Sequence, residues 1–171
     1  MNTKQKYPMS MIFFHSLLAV LMIATLVVGW MMEDNRNLMP LHKSLGASVF
    51  IFGILRILNR MANISKIPPS VNHGALRLVE KVVHGLLMLV MVALPMGGWL
   101  TSNAHGYPVS VFGLFNLPTL IGKNESLAHT LGEMHEAGAA AFVILLVLHV
   151  AGVVYHKVKT KDDVLSRMSP F

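Results

Sequence analysis

Four apolar stretches, each long enough to cross a bilayer, leave this chain few alternatives to a helical membrane fold. A spanning helix needs about 20 predominantly apolar residues, and its backbone polar groups must be satisfied within the segment itself. The stretches predict helices at about 9–32, 40–61, 77–101 and 127–157, and His15 is the one ionisable side chain in the first. They occupy most of the 171 residues, so the expected fold class is an all-α membrane protein, a four-helix transmembrane bundle forming one domain over 1–171. Charged residues make up 13% of the chain, against about 25% in soluble domains, too few to cover a water-exposed surface. The absence of cysteine excludes a disulfide scaffold, an iron–sulfur cluster and a thiolate zinc site.

Basic residues orient the bundle. Lys4 and Lys6 precede the first helix; Arg56, Arg60, Lys66, Arg77 and Lys81 surround the second loop; Lys157, Lys159, Lys161 and Arg167 follow the fourth helix. Only Arg36, Lys43 and Lys123 fall on the other side. The positive-inside rule places the basic side, with both termini, in the cytoplasm of a multi-pass inner-membrane protein. The pI near 9.8 therefore reports topology and calls for no nucleic-acid partner. The first apolar run exceeds the 7–15 residues or so of a signal-peptide h-region and lacks an A-x-A site, so it is expected to be retained.

The connection 59–79 contains Pro68–Pro69 and reads as a cytoplasmic loop. Ser102–Ser126 lies outside, and its apolar stretch Val109–Leu120 is broken by Gly113 and Pro118. That composition suits either a short helix lying in the membrane interface or a loop folded over the helix ends.

The chain holds 9 histidines, and intramembrane ionisable residues are rare and usually functional. At 1.5 Å of rise per residue, His15 and His149 both lie roughly 10–13 Å in from the cytoplasmic end. His42 and His135 lie near the external ends of the second and fourth helices. His135 and His149 are 14 residues apart, which brings them to within about 40° of one direction and separates them by roughly 21 Å. Two stacked cofactors suit that separation better than one metal ion. Small residues one turn away support a flat cofactor: Gly46 after His42, Gly138 after His135, Gly152 after His149 and Ala19 after His15. Such residues also serve ordinary helix packing in membranes. Haem is the cofactor this pattern favours, ligated by two histidines, since no methionine is placed as His15 and His149 are.

His84 falls in the cytoplasmic layer and could compete with His15 as ligand, whereas His156 is two turns beyond His149. Both suit contacts to haem propionates, a quinone pocket or proton transfer. His73, His105 and His129 fall in loops. Lys43, Lys81, Arg56 and Arg60 lie at helix ends, where snorkelling is the default and pairing with propionate carboxylates the alternative. The chain shows no phosphate-cradling glycine loop, nucleophile elbow or H-E-x-x-H motif.

The order and spacing of several short motifs resemble the prokaryotic cytochrome b561 family across nearly the whole chain. They are His15; His42-Lys-Ser-Leu-Gly46; His84 with Pro95 and Gly98; Phe112-Gly113-Leu114 with Leu117-Pro118; His135-Glu136, His149 and His156; and Asp163, Leu165, Arg167 and Pro170. The resemblance implies two b-type haems, one on His15 and His149 and the other on His42 and His135, and electron transfer between the quinone pool and a second partner. One branch oxidises superoxide and reduces ubiquinone, so superoxide or a periplasmic electron partner is an expected counterpart to ubiquinone. The chain departs from the family pattern at Ser16 and Met134, beside His15 and His135, and at Tyr155, beside His156; none of the three is a ligand position. Two rival readings stand: a haem-bearing anchor subunit of a larger oxidoreductase, and a histidine-lined metal or proton transporter. The transporter reading calls for intramembrane carboxylates, and the middle third of every span lacks them.

Overall fold

A computed structural model describes residues 6–70, 74–160 and 164–168; Lys4, His73, Lys161, Asp163 and Pro170 lie outside them. Four long apolar helices run Met9–Met31 (α1), Met39–Ala62 (α2), Gly74–Ala104 (α3) and Glu125–Tyr155 (α4). A turn of π-helix follows at His156–Thr160, then a short helix, Val164–Arg167 (α5). Both the start of α1 and the end of α4 lie at one end of the bundle, the terminal end.

Local chemistry sets the helix boundaries. α1 starts after Pro8, whose ring prevents further N-terminal pairing, and α2 carries a proline in its first turn, where the missing N–H costs nothing. Asn124 caps α4 by accepting the N–H of Leu127 at 3.0 Å, and Glu125 sits in the first turn where the helix dipole favours an anion. Pro95 lies inside α3 and removes one backbone donor, which membrane helices tolerate when neighbours satisfy the freed groups. α1 packs on α2, α2 on α3 and α3 on α4. The central core is Leu18, Val49 and Met91, one residue from each of the first three helices, surrounded by Leu21, Met22, Phe52, Ile57 and Val92. α4 buries little: Ala128 and Phe142.

The Val109–Leu120 stretch forms no interfacial helix. It makes a small antiparallel hairpin of Ser110–Val111 (β1) and Phe115–Asn116 (β2). Phe112 and Gly113 both have positive φ, 50° and 72°, a turn that a right-handed helix cannot contain. The hairpin folds back onto α2, as the loop reading of this segment expected. Val109 and Val111 pack with Ala47, Trp99 and Leu117, and the Ser44 hydroxyl accepts the Phe112 N–H at 2.9 Å. Asn103, only 2% exposed, accepts the Leu120 N–H at 2.9 Å and reaches the Tyr107 carbonyl through Nδ2 at 3.4 Å. Asn103→Ala removes both of these hydrogen bonds, so a loss of about 1–3 kcal/mol is expected. Thermal unfolding, with amide exchange at Leu120, checks it.

At the terminal end, the Tyr7 N–H donates to the Arg167 carbonyl at 3.1 Å, and the Arg167 guanidinium donates to the Pro69 carbonyl at 3.1 Å. The segment before α1, the α2–α3 loop and α5 are thereby tied together. Burial, and after it the Glu80 carboxylate, hold the Tyr7 phenol above its usual value of 10.0, against Arg60 and Arg167.

Candidate cofactor-binding site

Histidines from three helices meet near the terminal end: His15 of α1, His84 of α3 and His149 of α4. The ring centroids of His15 and His149 are 6.2 Å apart, with the planes at 38°. His84 stands edge-on to His149 at 5.0 Å. Arg56 of α2 is close enough to act electrostatically on all three rings. At the other end His42 of α2 and His135 of α4 face each other at 6.1 Å with their planes at 87°.

The hairpin-end pair is held from outside its own helices. The His42 ring nitrogen Nδ1 lies 3.1 Å from the Thr25 carbonyl on α1, and that of His135 lies 3.1 Å from the Leu94 carbonyl on α3. A carbonyl can only accept, so in both rings Nδ1 carries the proton and Nε2 keeps its lone pair. Each ring also lies against a glycine. A Cβ on Gly29 would come within 3.1 Å of His42, and one on Gly98 within 2.9 Å of His135.

Distances separate the two partners open to His149. Two imidazoles on opposite sides of one iron, with nitrogens about 2 Å from it and centroids about 1.1 Å further back, stand about 6.2 Å apart. The His15–His149 and His42–His135 pairs match this, whereas His84 and His149 at 5.0 Å are too close to stand on opposite sides of one iron. Among the described residues no group of three or more His, Cys, Asp or Glu side chains could hold a free metal ion. Pairs of imidazoles fit an iron whose other four positions a macrocycle fills.

The glycines divide by surroundings. A Cβ on Gly46 or Gly152 would meet no atom within 4 Å, which leaves open space one turn from His42 and from His149. Gly138 differs from its sequence reading: its Cβ would strike the Leu94 side chain at 2.9 Å, so it serves the α3–α4 contact. Lys43 donates to the Ser102 hydroxyl at 2.8 Å and lies 5.4 Å above the Tyr107 ring, which ties it to the hairpin end. His156 opens the π-turn with its ring 5.7 Å from Tyr155. His129 lies within α4 and not in a loop, exposed and 3.6 Å from Glu133, while His105 follows α3 and is exposed. Gly29 was absent from the sequence reading of the site. It lies near the end of α1 as His42 lies near the start of α2, and an antiparallel pair joined by a short turn is level at those positions.

The sequence profile of the prokaryotic cytochrome b561 family matches residues 6–171. The chain belongs to this family. It is also 30% identical over 174 aligned residues to cytochrome b561 homolog 2 of Escherichia coli (strain K12), covering 98% of this chain and 93% of that protein. This cytochrome b561-family chain is therefore a multi-pass inner-membrane protein of a membrane-bound oxidoreductase class whose cofactor is haem b.

Proposed function

We propose that the chain binds two haems b, one between His15 and His149 and one between His42 and His135, and passes electrons between the quinone pool and a second redox partner. The observation that carries this is the presence of two histidine pairs, at 6.2 and 6.1 Å, at opposite ends of one bundle. When bound, haem b supplies a one-electron iron couple, and the protein supplies ligands, orientation and a low-dielectric surround.

Each named residue then has a task. The four histidines present neutral imidazole nitrogens to iron. Arg56 sits beside the terminal-end pair, suited to a propionate carboxylate, and Lys43 offers a second cation at the hairpin end. His84 and His156 are the polar groups placed to contact a quinone head group or a propionate near the terminal end. An apolar groove of about 450 Å³ lined by Ile57, Gly85, Met88, Leu89, Val92, Ala93 and Met96 begins at the sequence neighbours of Arg56 and His84 and suits an isoprenoid tail. The distribution of lysine and arginine supports a cytoplasmic terminal end. Superoxide, which becomes dioxygen on losing one electron, is the candidate partner at the external end.

A dithionite-reduced minus oxidised spectrum of the purified chain tests the reading directly. A b-type α-band and a pyridine-haemochrome signal are expected, and their absence would sink it. Quinone reduction by superoxide then separates the superoxide branch from a general carrier. Gly46→Leu makes a sharper demand. No atom lies where its new side chain begins, so the chain should still fold, yet haem beside His42 should be retained about 10-fold less well or worse. Haem content against helical content reads the two effects separately.

A further inference from the structure

Two helices that contribute no ligand to the hairpin-end pair carry matching notches for its rings. On α1 the carbonyl of Thr25 accepts from His42 Nδ1 at 3.1 Å, and Gly29, one turn on, is the residue whose missing Cβ admits the ring. On α3 the carbonyl of Leu94 accepts from His135 Nδ1 at 3.1 Å, and Gly98, again one turn on, admits that ring. The spacing is the same in both: an acceptor at position i and a glycine at i+4, which lie on one helix face. Both helices thus offer a donor-seeking oxygen above a gap the width of an imidazole. Among the described residues His15 and His149 have no matching hydrogen bond, so the device belongs to one end of the bundle.

We propose that Gly29 and Gly98 are positioning residues for the hairpin-end ligands, each with the carbonyl one turn before it. The carbonyl fixes the tautomer, so that Nε2 of His42 and of His135 keeps the lone pair; the glycine sets how closely the ring may approach the carbonyl. A ligand whose second nitrogen donates to a carbonyl is also a more basic ligand, and loss of such a partner costs metal sites about 10–100-fold in affinity or activity. The two glycines differ in degree. A Cβ on Gly98 lies below any ordinary contact distance at 2.9 Å, while that on Gly29, at 3.1 Å, asks the ring to give by a few tenths of an ångström.

This inference rests on the two-haem reading above, and its test keeps the two apart. The full-length chain is purified as wild type, Gly98→Ala, Gly29→Ala and, as a control, Gly97→Ala, whose Cβ would meet nothing within 4 Å. Haem-to-protein ratio, the two midpoint potentials and the low-spin resonance spectrum are measured on each, with circular dichroism for helix content. Gly98→Ala is expected to retain one haem about 10–100-fold less well, with that haem's potential and resonance displaced and the other's unchanged. Gly29→Ala should displace the same signals less, and Gly97→Ala should match wild type. Wild-type potentials and spectra in both Gly98→Ala and Gly29→Ala would overturn the inference, as would equal displacement of both haems. If Gly98→Ala loses helix content, the milder Gly29→Ala decides alone. Failure of the two-haem reading looks different: His135→Leu would then keep the full haem complement whatever the glycine variants do.

Discussion

In a His149→Leu variant the haem content is expected to fall to about half of wild type, with one set of spectral signals lost and the other intact. Leucine removes the ligand proposed on α4 at the terminal end and leaves His42 and His135 facing each other at 6.1 Å. His15→Leu should give the same loss from the opposite side of the same site, and His135→Leu the complementary one. His84→Leu discriminates most sharply, because its ring shares the layer and stands nearer to His149 than His15 does. It is expected to keep both haems, since rings 5.0 Å apart are too close to stand on opposite faces of one haem. Should His84→Leu lose a haem while His15→Leu keeps both, the ligand at this end is His84. Pyridine-haemochrome titration against protein, with potentiometry to identify the remaining haem, reads every case.

The parts of this picture that could be read from sequence rest on fixed helix geometry. A rise of about 1.5 Å per residue converts offsets into depths, so the two layers, His15 and His84 level with His149 and His42 level with His135, needed only the helix ends. Those ends were legible because lipid demands a minimum apolar length, and the observed α1 and α2 bounds lie within one residue of expectation. Choosing between His15 and His84 was beyond the sequence, since both have the right depth and only the packing of α3 against α4 brings His84 edge-on to His149. The hairpin at Ser110–Asn116 escaped for a related reason. An apolar run at a membrane surface fits a helix or a folded loop equally well, and the decision lay in positive φ at Phe112 and Gly113 and in the Ser44 hydroxyl of another helix. The notches were less legible still. Their acceptors are backbone carbonyls, which every residue has, and only the placement of α1 beside α2 and α3 beside α4 selects Thr25 and Leu94.

Removing both proposed α4 ligands together, in His135→Leu/His149→Leu, is expected to cost the bundle most of its stability. The central core joins α1, α2 and α3 through Leu18, Val49 and Met91, whereas α4 contributes only Ala128 and Phe142 as buried residues and packs mainly on α3. What α4 presents to α1 and α2 is a histidine at each level. A cofactor gripped between His15 and His149, and another between His42 and His135, would fasten α4 to the helices it otherwise touches least. A ligand held at about 1,000 times its dissociation constant stabilises the folded state by about 4 kcal/mol, so two sites contribute about 8 kcal/mol against a native stability of about 5–15 kcal/mol. Thermal unfolding in detergent should therefore fall in steps, by about 10 °C for either single variant and by about twice that for the double. The leucines are no less apolar than the rings they replace, so a drop of that size cannot come from lost hydrophobic burial. A double variant melting with the wild type would mean that α4 is held by α3 alone and that haem adds function without fastening the fold.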